Sequence, residues 1–368
     1  MAFAPIEPKR FADRVGDWLT TAGPDADVVV SCRARLARNV EGYPFIERLS
    51  EERAARLSDE LRVVLESEAI GGETIWVNLA EASPLVRLLL RERHLISRDL
   101  APSDPSRAAK AGRGVAFAPD ETLSVMVNEE DHLRLQGISA GFAPEAAWRR
   151  VRGLHDTLEE RVGFATSSRL GYLTSCPTNV GTGLRVSVML HLPALGLVRE
   201  ELEKVFCAAQ RTGLAVRGMY GEGSRAAGDF YQISNQVTLG CHEESLLADL
   251  QALVPSILAF ERRVRDTLMA EQKGELEDRI QRSLGMLCSA RSMATEVALL
   301  HVSNVRLGAA LELLEAPLST LNAVTVQLQR AHVHALGSSS AQEPLPEPTE
   351  RDRMRAALLR RRFCDLGT

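Results

Sequence analysis

The chain has 368 residues, a formal net charge of −5, 45% apolar and 25% charged residues; it exceeds what one hydrophobic core usually serves, so two domains are expected, and its balance excludes a disordered or fibrous protein. Of its 44 basic residues only Lys9, Lys110, Lys204 and Lys273 are lysine. None lies in a G-x-x-x-x-G-K-[ST] loop or follows V-A-I, which excludes both common lysine-based phosphate sites and leaves arginine to hold any phosphate.

The arginine excess by itself reads as codon bias, so position has to decide. Met1 to Trp18 carries charge throughout and lacks the apolar core of a secretory signal, and no run of about 18 apolar residues follows. A cytoplasmic protein without a membrane partner is expected. In V-V-V-S-C-R-A-R-L, Val28, Val30, Cys32, Ala34 and Leu36 alternate with Ser31, Arg33 and Arg35, as in a strand with two guanidiniums on one face. Ser50 to Glu68 then places Leu57, Leu61, Val64 and Leu65 on one helical stripe, giving a small helical N-terminal part.

Alternation returns in T-L-S-V-M-V-N, where Leu123, Val125 and Val127 oppose Ser124, Met126 and Asn128. In H-L-R-L-Q, Leu133 and Leu135 oppose His132, Arg134 and Gln136, with Glu129-Glu130-Asp131 as the turn between these two strands. L-R-V-S-V-M-L-H-L sets Leu184, Val186, Val188, Leu190 and Leu192 against Arg185, Ser187, Met189 and His191. L-A-V-R-G adds Arg217, and F-Y-Q-I-S-N-Q-V-T-L sets Gln232, Ser234, Gln236 and Thr238 against Tyr231, Ile233, Val237 and Leu239. One-sided alternation fits an antiparallel sheet with helices on its apolar face, an α+β protein. Any one of these polar faces reads as solvated surface; arginine on the polar side of four strands beside an acidic turn makes a cationic floor for a polyphosphate.

Six cysteines, Cys32, Cys176, Cys207, Cys241, Cys288 and Cys364, show no C-x-x-C pair and no zinc spacing, so neither a disulfide framework nor a metal site is expected. Cys207 and Cys288 fall in helical patterns and read as core. His332 and His334 read as two surface histidines rather than metal ligands. Beyond the sheet, Leu276, Ile280, Leu284 and Leu287 begin a helical stripe that continues in apolar residues from Met293 to Leu328. The linker G-S-S-S-A-Q-E-P-L-P-E-P follows, and Thr349 and Asp352 are expected to cap a terminal basic helix. The expected domains are 1–255, carrying the sheet and the small helical N-terminal part, and 256–368, helical.

The stretches S-C-R-A-R-L-A-R-N (31–39), V-N-E-E-D-H-L-R-L-Q (127–136), G-Y-L-T-S-C-P-T-N-V-G-T-G-L-R (171–185), R-G-M-Y-G-E-G-S (217–224) and Q-I-S-N-Q-V-T-L-G (232–240) resemble the phosphagen kinases, the ATP:guanidino phosphotransferase family. Within that family they look most like the bacterial branch that acts on arginine in proteins. The resemblance implies a glutamine-synthetase-like catalytic domain in which Arg33, Arg35, Arg134, Arg185 and Arg217 hold the phosphates of magnesium ATP. It places two guanidinium-orienting carboxylates at Glu130 and Glu222 and a loop thiol at Cys176. On residues alone, Glu130 reads equally as part of an exposed acidic turn, Glu222 as a loop residue between turn glycines, and Cys176 as a small buried hydrophobe. Cys32 stands where the family has serine, and Arg225 where this branch has an acidic residue.

Only 32 residues precede Arg33, little to grip the α-carboxylate of free arginine, so proteins bearing arginine are the expected substrates. R-D-R-M-R-A (351–356) is similar to the family's R-D-x-x-R-A motif, which implies phosphoarginine binding by Arg351, Asp352 and Arg355; alone it reads as a basic solvated helix. The resemblance further implies a homodimer, an activator protein, and a Clp-type protease or a stress repressor downstream. The alternatives are a kinase of free arginine or another small guanidino compound, and a non-catalytic phosphoarginine-binding adaptor. Nucleic acid is not an expected partner, given the net negative charge and the lack of a recognition motif.

Overall fold

The protein is described by a computed structural model over residues 6–68, 70–101, 110–218, 227–337 and 346–364. Its strands are β1 (Val29–Arg38), β2 (Ile75–Asn78), β3 (Gly114–Phe117), β4 (Leu123–Val127), β5 (Leu133–Ala140), β6 (Thr166–Ser167), β7 (Gly171–Tyr172), β8 (Leu184–His191), β9 (Leu214–Gly218) and β10 (Phe230–Asn235). Eight of them form one sheet in the order β2-β3-β4-β5-β1-β8-β10-β9 with every neighbouring pair antiparallel, and β6 pairs with β7. The α+β reading holds.

The helices of the first part are α1 (Pro8–Asp13), α2 (Asp17–Thr20), α3 (Glu51–Ser67), α4 (Pro84–Glu92), α5 (Pro144–Val162), α6 (Pro193–Leu197) and α7 (Arg199–Arg211). They are followed by α8 (Glu243–Glu271), α9 (Lys273–Ser289), α10 (Thr295–Ala310), α11 (Leu318–Gln327), α12 (Arg330–Gly337) and α13 (Pro348–Phe363). Local chemistry sets the ends. Ser50 accepts from Arg53 N–H to start α3, Ser83 accepts from Val86 N–H ahead of Pro84 to start α4, and α5 stops at Gly163 with φ +68°. Among the described residues no helix is long and apolar enough to cross a membrane.

One face of the sheet is the main core: Cys32, Ala34, Leu36, Leu133, Leu135, Val186 and Val188 pack with Leu57, Leu61 and Leu65 of α3, Val151 of α5 and Leu250 of α8. Alternation predicts this face, with one departure. A register shift between Val29 and Ser31 sends Val29 into the main core and Val30 to the opposite side, where it packs with Trp18, Ile138, Phe230 and Val326. The arginine face is therefore not an open floor: α2 and α11 partly roof it and turn it into a cleft.

Several expectations are corrected by packing. β10 ends at Asn235, whose side chain bonds Val186 N–H and Leu184 O, so Val237 and Leu239 lie outside the strand and are exposed. Cys207 is exposed rather than core, and Cys288 is half-buried. His332 and His334 are buried, not surface residues; His332 Nδ1 faces Glu92 at 2.8 Å. The helix cap expected at Thr349 and Asp352 falls instead at Glu347, with Pro348 opening α13. Most of the linker before it, residues 338–345, lies outside the described residues.

The expected division at 255/256 falls inside α8. Pro255 sits on the exposed side of that helix, where water can satisfy the backbone carbonyl it leaves unpaired, and Ile257 and Leu258 belong to the core beneath the sheet. The C-terminal helices have their own core around Leu287, Leu299, Val302, Leu321, Leu359 and Phe363. Buried Arg306 of α10 joins the two parts: it donates to the carbonyls of Ala26 and Asp27, to Asn322 Oδ1 and toward His191 Nδ1 at the end of β8.

Candidate active site

Strand register gathers the predicted arginines on one face. Arg35 lies directly opposite Arg185 of β8 and Gln136 of β5, and Arg33 opposite Ser187 and Ile138. Arg134 lies opposite Ala37, and Arg217 opposite Gln232. Packing like charges this closely has an electrostatic signature. Burial, with Arg134 and Arg185 alongside, pushes the Arg33 guanidinium down to about 10, and Arg35 is held well below its ordinary value by burial and the other three. Arg33 therefore remains cationic at neutral pH, and a guanidinium does not deprotonate in a protein.

Arg33, Arg35 and Arg217 line a cleft of about 540 Å³. His94, which follows α4 in the left-handed region (φ +61°), lines it too. Burial and the fields of Arg33 and Arg35 hold its imidazole down to about 3, so it is neutral at working pH. His94, Gln136 and Gln232 are cleft residues that sequence reading passes over. Alternation marks both glutamines only as polar, and a turn residue such as His94 has no periodic signal.

The acidic turn is not an exposed loop throughout. Asn128 takes φ +54° to start it, Glu129 and Asp131 are buried, and only Glu130 reaches solvent. Arg134 Nη1 donates to Glu129 at 2.8 Å and Nη2 to Glu130 Oε2 at 2.9 Å. Burial raises the Glu130 carboxyl above its ordinary value, with Asp131 and Glu129 adding to the rise and Arg134 opposing it. A second cavity of about 560 Å³ opens on this side, lined by the carboxylates of Glu47, Glu51, Asp99, Glu129 and Glu130 with Lys110 and Arg113 as its cations.

Asp131 organises what lies next to it. Its Oδ1 accepts from Asn39 Nδ2 at 2.7 Å and from Ser175 N–H at 2.6 Å, which pins the residue before Cys176 to the acidic turn. Cys176 opens a short helical turn at Pro177–Asn179, and its Sγ lies 3.0 Å from Thr178 Oγ1. The loop closes on glycines that nothing larger can replace. At Gly181 (φ +108°) a Cβ would meet Thr238 O at 2.5 Å, and at Gly183 (φ +63°) it would meet Ala37 O at 2.7 Å. His132 is structural: its Nδ1 accepts from Val40 N–H and its Nε2 faces Pro44 O.

Glu222 and Arg225 lie outside the described residues. In the C-terminal motif the three residues are not equivalent. Arg355 is buried and already donates to Leu328 O (2.7 Å), Met293 O (2.8 Å) and Asp352 Oδ1 (2.6 Å). Arg351 is half-buried, and its Nε has no hydrogen-bond partner among the described residues. Among the described residues no group of three or more His, Cys, Asp or Glu is placed to hold a metal ion.

Residues 58–264 match the model of the ATP:guanido phosphotransferase C-terminal catalytic domain, so the chain belongs to that enzyme family, the class to which the sheet and its arginine row point. Residues 273–368 match the model described as the protein-arginine kinase McsB C-terminal domain. The chain is 42% identical over 351 residues to the protein-arginine kinase of Symbiobacterium thermophilum, covering 94% of this chain and 96% of that one. To the Bacillus subtilis protein-arginine kinase it is 38% identical over 354 residues, 95% and 94% of the two chains. The duplicated taurocyamine kinase of Schistosoma mansoni with bound transition state analog components superposes with a TM-score of 0.59 at 26% identity, over 71% of this chain and 36% of that one. Lombricine kinase, with a TM-score of 0.57 at 24% identity over 69% and 72%, shares the fold.

Proposed function

We propose that the chain transfers the γ-phosphoryl group of magnesium ATP to a guanidino nitrogen of arginine side chains in proteins. One observation carries this reading: a cationic cleft suited to a triphosphate and an anionic cavity suited to a guanidinium are bridged by Arg134, which bonds Glu129 and Glu130 and adds its charge to Arg33 and Arg35. In this reading Arg33, Arg35, Arg134, Arg185 and Arg217 cradle the phosphates and neutralise charge as the γ-phosphoryl moves in line. The magnesium ion arrives with the nucleotide as part of the substrate.

A guanidinium, with a pKa above about 12, is no nucleophile until it gives up a proton. Glu130 and Glu222 orient its planar fork by paired hydrogen bonds, and one of them takes the proton as the N–P bond forms. The raised Glu130 carboxyl suits it to that task. Cys176, fixed through Ser175 and Asp131, tunes the guanidinium electrostatically and forms no covalent intermediate. The cavity's five carboxylates outnumber its two cations, so it favours an arginine whose α-carboxylate is tied up in a peptide bond over one that brings a further negative charge.

Other parts of this reading rest on the whole-length likeness to protein-arginine kinases. They are a cytoplasmic homodimer assembled through the C-terminal helices, phosphoarginine binding at Arg351, Asp352 and Arg355, an activator protein, and a Clp-type protease or stress repressor acting downstream. Phosphoarginine would have to compete with the carbonyls that now hold Arg355. The division into residues 1–255 and 256–368 is proposed with α8 shared between the parts.

The test is to incubate the protein with magnesium ATP and either casein or free arginine, then measure acid-labile, base-stable phosphate. Labelled casein with free arginine unlabelled is the expected result. Labelled free arginine with casein untouched would establish the small-guanidino kinase instead.

A further inference from the structure

Two of the six cysteines meet in the C-terminal part, away from the arginine face. Cys288 lies in the last turn of α9 and Cys364 caps the end of α13, where its thiol donates to the Cys288 carbonyl at 3.7 Å. The two thiols interact as well. Burial pushes the Cys288 thiol up, and the charge and hydrogen bonding of the Cys364 thiol push it further.

Packing fixes this meeting without help from sulfur. Leu359 and Phe363 of α13 are buried in the C-terminal core, and Cys288 packs against the same core. Along α13, Arg360 donates to Ala290 O, Arg355 donates to Met293 O at 2.8 Å, and Asp352 O accepts from Met293 N–H at 3.1 Å. The chain leaving α9 is thus held along most of α13, which brings Cys364 to the end of α9. Cys364 is exposed and Cys288 half-buried, so a small oxidant reaches Cys364 first.

We propose that Cys288 and Cys364 form a reversible disulfide that clasps the end of α13 to the end of α9, with a low-molecular-weight disulfide, RS–SR, as the oxidant. The Cys364 sulfur attacks RS–SR; the oxidant's S–S bond breaks, one RS group leaves with the Cys364 proton, and a mixed disulfide remains. The Cys288 sulfur then attacks the Cys364 sulfur, and the second RS group leaves with the Cys288 proton. Two protein thiols are oxidised to one disulfide while RS–SR is reduced to two RSH, so excess RSH reverses the reaction. Where thiols are normally kept reduced, such a bond forms only on an oxidising shift. The ring it closes contains α10, α11, α12 and α13, so it restricts the unfolded chain over most of the C-terminal core.

The experiment treats the full-length protein with oxidised glutathione at neutral pH, quenches with acid, and compares it with reduced protein by non-reducing peptide mapping and by thermal unfolding. Cys288→Ser and Cys364→Ser, the second at an exposed position, are treated alongside. Wild type should yield peptides joined through Cys288 and Cys364, with two hydrogens lost, and a thermal midpoint about 4 °C or more above that of the reduced protein. Dithiothreitol should reverse both changes, and neither variant should show the rise. Cys288 and Cys364 left unlinked, whether free or each capped by glutathione, a link from either to another cysteine instead, or a link that leaves the midpoint unchanged would each overturn the clasp. Activity is not the readout, because the same oxidant can cap Cys176, and the result stands whether or not the proposed transfer does.

Discussion

Arg134 donates from one nitrogen to Glu130 at 2.9 Å and from another to buried Glu129 at 2.8 Å. One guanidinium thus touches the carboxylate proposed for the acceptor and shares its field with the arginines proposed for ATP. In the proposed mechanism it couples the two halves of the transfer.

Glu130→Gln keeps the shape of the side chain and its bond to Arg134 but removes the proton acceptor. We expect turnover to fall at least 100-fold, the scale of a lost general base, while nucleotide affinity stays within threefold. Separate measurements of nucleotide binding and turnover check this; turnover within threefold of wild type would remove Glu130 from the mechanism.

Arg35 works against stability in the empty protein. It is half-buried beside Arg33, Arg134 and Arg185, and its pairing with Arg185 across β1 and β8 is direct. Arg35→Gln is expected to raise the thermal midpoint of the nucleotide-free protein and to lower kcat/KM for ATP by the roughly 2–5 kcal/mol typical of a lost buried charge partner. A lower midpoint would show that the like-charge cost is met by contacts within the chain.

Asp131→Ala should release Ser175 and Asn39 together. Loss of two bonds to a buried carboxylate predicts a destabilisation of about 3 kcal/mol and a fall in kcat larger than that of Cys176→Ala, with KM for ATP little changed. Denaturant titration and steady-state kinetics on both variants check the order. Equal kinetics for Asp131→Ala and wild type would mean that the loop keeps its place without this anchor.

His94 sets a pH dependence. Its folded value of about 3 lies below the unfolded value of about 6.5, so the unfolded chain binds the extra proton and the stability from neutral His94 is lost as pH falls from 6.5 toward 3. Between pH 6.5 and 5 that amounts to about 2 kcal/mol at most. His94→Asn, which tolerates positive φ, should flatten the stability curve in that window. Parallel curves for the two proteins would show that His94 protonates normally in the folded state.

Much of this site is legible in side-chain alternation. Period two determines which residues share a face, so Arg33, Arg35, Arg134, Arg185 and Arg217 fall into one group from the amino-acid sequence alone. Alternation carries no information about insertions, so the bulge that sends Val30 to the arginine face leaves no trace in it. It also says nothing of what covers a face: the roof of Trp18 and Val326 joins segments far apart in sequence. Charged residues read as solvent-facing, yet Glu129, Asp131, Arg306 and Arg355 are buried because partners distant in sequence or across a turn satisfy them. His332 escapes sequence reading for the same reason, its partner Glu92 lying 240 residues earlier. The helix α8 runs through the expected domain boundary because Pro255 falls on its solvent side.

Transfer to the arginine guanidino nitrogen can be read directly from where the phosphate ends up. The most direct measurement is mass-spectrometric localisation of phosphate on a protein substrate after reaction with magnesium ATP, worked up at neutral pH, for wild type and Glu130→Gln side by side. Phosphate is expected on arginine side chains with wild type and on none with the variant. Phosphate on serine, threonine or Cys176, or arginine phosphorylation that survives in Glu130→Gln, would contradict it.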